Sequence, residues 1–224
     1  RAQHFHYKKG GRAEYVPGVG IVTKRFERNE VVRAETRTEF GIKNHETVLL
    51  SVGEINENKN HRVVLEALAK LARKDIRYIV CGTGNLLDAH RALVASLGLQ
   101  DQVIFVGYRT DIDRFYQAAD AFVISSFREG LPVSLMEAMS AGLPCIASKI
   151  RGNIDLMAES QLLFDPHNAD SLCAAIERMK NKSVPELEIE RNFQTLKYFS
   201  MEEAVKAMKK IYIDIIDELP SNRK

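Results

Sequence analysis

The sequence predicts an α/β protein: a doubly wound parallel sheet of about six strands with helices on both faces. Three observations predict it. Short, continuous apolar runs alternate with amphipathic helical segments, the pattern of a parallel sheet buried on both sides. Most of these runs end in a glycine-containing turn, and in such a sheet those turns lie at the carboxyl ends of the strands, where ligands bind. Right-handed crossovers between parallel strands then leave a Rossmann-like layer structure as the leading architecture.

The elements follow in order. Residues 47–52 (TVLLSV) read as the first strand, ending at Gly53. Residues 61–73 read as a helix, with Val64, Leu65, Leu68, Leu71 and Ala72 at helical spacing. Residues 78–81 form a second buried strand, followed by Gly82-Thr83-Gly84 and a helix to about Leu97, with Gly98 as its C-cap. Residues 103–106 form a third strand, ending at Gly107, and Asp111 is placed to cap a helix that reaches about Ala118. Residues 121–125 form a fourth strand, with a helix from about Pro132 to Ala141 that Gly142 stops. Residues 144–147 and 162–164 supply two more strands, the second followed by a helix over about residues 170–180. Two helices are expected beyond Pro185. The last opens on Ser200-Met201-Glu202-Glu203, a capping box. Its apolar stripe (Met201, Val205, Met208, Tyr212, Ile215) requires a cover.

Composition narrows the function classes. Of the 224 residues, 45% are hydrophobic and 28% charged, an ordinary globular mixture able to bury a core. A formal net charge of +2 carries no signature of nucleic-acid binding. No apolar run approaches the roughly 20 residues that span a bilayer. The three cysteines (Cys81, Cys145, Cys173) are odd in number and far apart, which reads as reduced core thiols in a cytoplasmic protein. Only His4 and His6 have a metal-ligand spacing, and they lie in a polar terminal stretch, so no metal is expected.

The densest chemistry lies in residues 125–137, SSFREGLPVSLME. This is a strand end, a polar turn and a helix with Pro132 in its first turn, where a missing N–H does no harm. The amides around Leu131–Ser134 would make an anion site reinforced by the helix dipole. Glu129 precedes that helix end and would face a ligand there. Glu137 lies on the helix, with Val133, Ser134, Ser140 and Ala141 one turn away, a mostly small surface suited to a hydroxyl-bearing ligand. Either glutamate alone is better explained as a capping or solvated residue; together, with Gly130 and Pro132 between them, they are more specific.

Glu129 and Glu137 fit the Glu-x7-Glu motif of the large retaining glycosyltransferase family often called family 4, and the surrounding SSFREGLPVSLMEAMSAGLPCIAS resembles that family almost without interruption. So do Ser51-Val52-Gly53 with Asn58-Lys59-Asn60, the turn Cys81-Gly82-Thr83-Gly84, and Val106-Gly107-Tyr108-Arg109. The likeness covers about residues 15–182 and corresponds to the family's C-terminal, donor-binding domain, one half of the two-domain GT-B fold. It implies a hexosyltransferase type of enzyme whose donor is a nucleoside diphosphate sugar, with a UDP-sugar expected because uridine is common in the family. It implies no cofactor and no metal. By position, Lys59 would neutralise the diphosphate, in keeping with a lysine point charge past a strand end. Gly53, Gly82, Thr83 and Gly84 would lie against the nucleotide, and the main chain of Gly107, Tyr108 and Arg109 would read the base. Glu137 would hold the ribose hydroxyls. Glu129 would bind the transferred sugar, and the main chain of Gly130, Leu131, Pro132 and Val133 would bind sugar and phosphate oxygens. Glu129 and Lys59 are the catalytic candidates.

There is one departure. The family often carries an arginine five residues before this lysine, and here that donor-binding position is held by Glu54. Arg128 would be a second cation; a surface arginine explains it equally well. Asn60 and His61 are weaker candidates. Tyr15-Val16-Pro17-Gly18-Val19 resembles the strand by which the family's chain leaves its acceptor domain, followed by Arg25-Phe26. The expected organisation is a hinge strand and acceptor-side remnant over 1–20, the nucleotide-sugar domain over 21–182, and C-terminal helices over 183–224. About 46 residues before the first strand are too few for a second Rossmann-like domain. The acceptor, a glycan or lipid-linked glycan, would be met by that absent domain, at the inner face of a membrane.

Three other readings compete. An NAD-dependent dehydrogenase would use Gly82-Thr83-Gly84 as its dinucleotide turn, but the third glycine should fall at Leu87 and no matching acid follows about 20 residues later. A non-catalytic nucleotide-sugar-binding module would keep the donor pocket and lack an acceptor site. A nucleotide-sugar epimerase of similar architecture is not distinguished by fold alone. Side-by-side binding of NAD and nucleoside diphosphates separates the first from the rest.

Overall fold

The computed structural model describes Glu14, Val16, residues 20–180 and residues 183–218. His4, His6 and most of the expected hinge strand lie outside the described residues. Six strands form one parallel sheet in the order β3-β2-β1-β4-β5-β6. They are β1 (Thr47–Val52), β2 (Ile76–Cys81), β3 (Val103–Gly107), β4 (Ala121–Ile124), β5 (Cys145–Ser148) and β6 (Leu163–Phe164). The order reverses between β1 and β4, and a crevice opens at the carboxyl ends of strands on either side of such a switch. The sheet is therefore the doubly wound, Rossmann-like one that the alternation of strands and helices predicts.

The strands are apolar throughout because both faces are covered. β4 and β5 are buried at every position. Alternate residues divide between two layers. Leu49, Tyr78, Val80, Val123 and Ile146 join the core beneath α2 (His61–Leu71), α3 (Leu87–Ser96) and α7 (Ala169–Met179). The opposite face carries α1 (Glu30–Glu39), packed on α4 (Ile112–Ala118), and α5 (Val133–Ser140), which contacts β4 and β5. Two shorter pieces complete the unit Thr23–Leu196: a 3-10 turn (Thr23–Phe26) and α6 (Arg151–Met157).

Two helices escape the sequence reading. α1 has no apolar inward stripe: its buried residues are Thr36 and Arg37. Arg33 donates to the carbonyls of Gln117, Ala118 and Ala119 and to Asp120 Oδ1 at 2.5 Å. Arg37 reaches Asp120 Oδ2 at 3.1 Å and the carbonyls of Lys43 and Glu46. These arginines satisfy the free carbonyls at the end of α4, a favourable place for cations. α6 is short and buries Gly152 and Asn153 beside Leu156 and Met157, so its pattern is not hydrophobic. Pro185 lies inside the first turn of α8 (Ser183–Tyr198) rather than before it, where proline is tolerated.

Residues Arg1–Val22 and Lys197–Lys224 group as a second unit. Its helix α9 (Met201–Glu218) starts as the sequence predicts, with the N–H of Glu203 donating to Ser200 Oγ at 3.2 Å. The stripe residues Met201, Val205, Met208, Tyr212 and Ile215 are all exposed.

Asp120 ties β4 to two arginines and to the N–H of Val48 at 2.7 Å, with the Arg37 side chain 6% exposed and that of Asp120 30% exposed. Removing one partner of a largely buried ion pair leaves the other charge uncompensated. D120A should lower unfolding free energy by about 3 kcal/mol, read from the shift of the denaturant midpoint; a change under about 1 kcal/mol, the worth of an exposed pair, would refute this role.

Candidate donor-binding site

A cavity of about 420 Å³ opens at the carboxyl ends of β1, β2 and β3. Of the residues expected there, Gly53, Glu54, Gly82, Thr83, Tyr108, Arg109 and Glu137 line it, joined by Val52, Cys81 and Ile112. A larger cavity of about 760 Å³ lies between α2 and α3, and of the candidates only the weaker Asn60 lines it. The smaller one sits where the fold gathers its strand ends.

The glycine turns bring backbone to backbone. A Cβ on Gly82, whose φ is +153°, would lie 1.8 Å from the carbonyl oxygen of Gly53, and one on Gly84 would lie 2.2 Å from that of Ile55. These two glycines let the β1–α2 and β2–α3 loops pack together, held by Gly53 N–H to Cys81 O (3.0 Å) and Ile55 N–H to Thr83 O (2.9 Å). Beside Gly53 runs the Lys59 side chain. Its ammonium donates to Glu129 Oε1 at 2.6 Å, with both side chains mostly buried. The two catalytic candidates, 70 positions apart, thus meet. Ser126 Oγ donates to the same carboxylate oxygen at 2.6 Å. Ser125 Oγ donates to the Lys59 carbonyl (2.8 Å), and Asn58 Nδ2 to the Arg128 carbonyl (2.9 Å). Both loops at the β1/β4 switch point are therefore laced into one piece.

α5 begins at Val133, with Pro132 at the N-cap position; the N–H groups of Leu135 and Met136 already return to the Pro132 carbonyl. The amides of Val133 and Ser134 precede those returns, at the positive end of the helix. Glu137, one turn on, accepts from Tyr116 Oη at 2.9 Å, and that hydroxyl also contacts the Ser134 carbonyl. Burial pushes the Glu137 carboxyl above its usual range, against the Tyr116 hydrogen bond and the field of Arg25, which lower it. Tyr116 is a partner that sequence reasoning missed: nothing in its own segment marks it, since α4 pairs with α5 only in three dimensions. Ser140, read above as part of a ligand-facing surface, is buried and donates to the Met136 carbonyl.

The remaining candidates divide. Tyr108 is largely exposed at the cavity edge. The Arg109 guanidinium is bidentate to Asp111 (2.8 and 2.6 Å) and lies 5.3 Å from the Phe115 ring centroid. This corrects the expectation that Asp111 caps α4: it makes no cap hydrogen bond, because Arg109 and Arg114 draw its carboxylate away. Asp113 likewise pairs with Arg25 at 3.1 Å. Arg128 is exposed and does not line the cavity. Asn60 adopts a left-handed conformation and donates to the Ser125 and Pro166 carbonyls. His61 is buried behind the loop. Tyr78 donates to Ser51 and Ser51 to the Val123 carbonyl, so Tyr78 must accept from His61 Nδ1 (3.0 Å). Burial, then the nearby His90, lowers the His61 pKa to about 4, and the ring stays neutral. Cys81 in the cavity wall is a free thiol raised by burial to about 12, far from thiolate reactivity. Among the described residues no group of three His, Cys, Asp or Glu side chains is arranged to hold a metal ion, and no helix is long and apolar enough to cross a membrane.

Residues 32–195 match the family described as Glycosyl transferases group 1, and the chain belongs to it. It is 32% identical over 185 residues to the EpsD protein of Bacillus subtilis, covering 80% of this chain and 48% of that one. It is 29% identical over 186 residues to the UDP-Gal:alpha-D-GlcNAc-diphosphoundecaprenol alpha-1,3-galactosyltransferase of Escherichia coli, covering 79% and 48%. The chain spans about half the length of these curated relatives. Its fold matches the crystal structure of Anabaena HepE in complex with UDP and glucose, with a TM-score of 0.77 at 20% identity over 89% of this chain and 55% of that one.

The raised Glu137 carboxyl has a consequence for stability. Its folded-state pKa exceeds the unfolded one, so ionisation at neutral pH costs the fold, and the cost declines as pH falls below the folded value and is gone below the unfolded one. E137Q should therefore melt at a higher temperature than the wild type near neutral pH, with the gap closing on acidification below the raised value. A variant less stable at neutral pH would show that the carboxylate is a structural anchor.

Proposed function

We propose that this chain is the donor-binding half of a retaining glycosyltransferase that takes a sugar from a nucleoside diphosphate sugar, with uridine as the base, and transfers it to an acceptor hydroxyl. One observation carries the reading. Lys59 and Glu129 converge at the β1/β4 switch point beside a cavity that also holds Glu137. On this reading Lys59 is the cation for a diphosphate, Glu129 the carboxylate for sugar hydroxyls and Glu137 the carboxylate for ribose hydroxyls. The UDP and glucose bound by Anabaena HepE and the UDP-Gal donor of the Escherichia coli relative support the same ligand class.

In the ligand-free protein Lys59 is neutralised by Glu129. An arriving diphosphate takes that ammonium, and Glu129 is released toward the sugar it orients. The departing phosphate is stabilised by Lys59 and by the amides at the start of α5, charge placed before the reaction rather than reorganised during it. The acceptor attacks from the same face, and the leaving phosphate helps remove its proton, so the configuration is retained. Positioning and charge stabilisation do this without a metal ion. Glu54, where the family often has arginine, leaves the clamp to Lys59 and the helix amides. The acceptor is a lipid-linked glycan, in keeping with the diphosphoundecaprenol named for the Escherichia coli relative; its site lies in the other half of the GT-B fold, at the inner face of a membrane.

E129Q separates the two roles. It frees Lys59, so UDP should bind as tightly as in the wild type or more so, while sugar transfer is abolished. K59A removes a charge-assisted contact and should weaken UDP binding by about 10–100-fold. Calorimetry on both variants, with a transfer or donor-hydrolysis assay, checks this; equal loss of UDP affinity and transfer in E129Q would overturn the assignment.

A further inference from the structure

We propose that Gly152 and Asn153, at the start of α6, are positioning residues for Glu129 and thereby determine how the site holds the sugar rather than the nucleotide, an inference that rests on the donor-site reading above. A buried chain of hydrogen bonds links them. Asn153 Nδ2 donates to the carbonyl and the hydroxyl of Ser148 (2.9 and 3.0 Å). The Ser148 hydroxyl donates to the Ser126 carbonyl at 2.6 Å, and the Ser126 hydroxyl donates to Glu129 Oε1 at 2.6 Å. Asn153, Ser148 and Ser126 are each fully buried, so no water competes for these contacts. Asn153 fixes the Ser148 hydroxyl as a donor toward Ser126. That fixes the Ser126 main chain, from which the hydroxyl aims at the carboxylate.

Gly152 completes the support by close approach. A Cβ there would lie 2.5 Å from the Glu129 carbonyl oxygen and 2.7 Å from that of Gly130. Both obstacles are backbone, so any larger residue must displace the turn that carries Glu129. Its own φ is not in the left-handed region, so alanine meets an obstacle of space alone. The Lys59 main chain has contacts of its own, its N–H donating to Asn56 Oδ1 (3.0 Å) and its carbonyl accepting from Ser125 Oγ (2.8 Å), while its ammonium meets Glu129. The α6 support therefore acts directly on the carboxylate, and no α6 residue touches Lys59 itself in the chain of contacts above.

The test compares wild type, G152A and N153A, the last adding no atom in case G152A does not fold. Each is solved crystallographically and titrated with UDP and with UDP-glucose. The expected result is a Glu129 carboxylate that has left Ser126 Oγ, UDP affinity close to that of the wild type, and loss of about tenfold or more of the extra affinity conferred by glucose. An unmoved Glu129 carboxylate in the variants overturns the proposal, as does an equal loss of UDP and UDP-glucose binding, which marks a merely structural role. If the wild type binds neither ligand, the donor-site reading falls, while the crystallographic position of Glu129 still decides whether α6 sets it.

Discussion

The ion pair between Lys59 and Glu129 is the contact on which the rest of the site depends. It joins the loop after β1 to the loop after β4, the two strands between which the sheet reverses direction. In an open α/β sheet that reversal opens a crevice whether or not anything useful lines it. Here the crevice is bounded by two loops made nearly rigid by mutual hydrogen bonds: Ser125 to Lys59, Asn58 to Arg128, and the N–H of Phe127 to Asn58. Lys59 and Glu129 therefore stand on scaffold rather than on free loops, which is what precise positioning requires.

The charge balance of the crevice follows from the same contact. Glu54 and Glu137 line the cavity, and the Arg109 guanidinium is spent on Asp111. Lys59 is spent on Glu129. Burial raises Glu137 and leaves it a strong acceptor wherever it is ionised, with Tyr116 orienting one oxygen. A ligand that brings both an anion and neighbouring hydroxyls satisfies all three groups at once; an anion without hydroxyls would leave two carboxylates facing it unpaired.

Much of this was legible in the sequence, for identifiable reasons. The strands are continuous apolar runs because both faces are buried, so all six were found within a few residues. Glu129 and Glu137 stood out as a pair around Gly130 and Pro132, and their roles came from the resemblance of that segment to the Glu-x7-Glu family. What stayed hidden was tertiary. α1 presents arginines inward to carbonyls and Asp120, a pattern that looks like solvent-exposed polarity. Asp111 looked like a helix cap, and Arg109 two residues earlier outcompeted the amides. Tyr116 meets Glu137 from another helix, and Asn153 reaches Glu129 only through Ser148 and Ser126, so no spacing rule connects either of them to its glutamate.

The central claim is that the crevice is a nucleoside-diphosphate site. Thermal stabilisation by UDP, GDP, ADP and NAD, side by side and with magnesium or a chelator, tests it most directly. A ligand at about 100 times its Kd stabilises by about 2.7 kcal/mol, well within reach of a melting experiment. The account predicts a selective shift with UDP that chelation does not remove. A larger shift with NAD, or none with any nucleoside diphosphate, would contradict it.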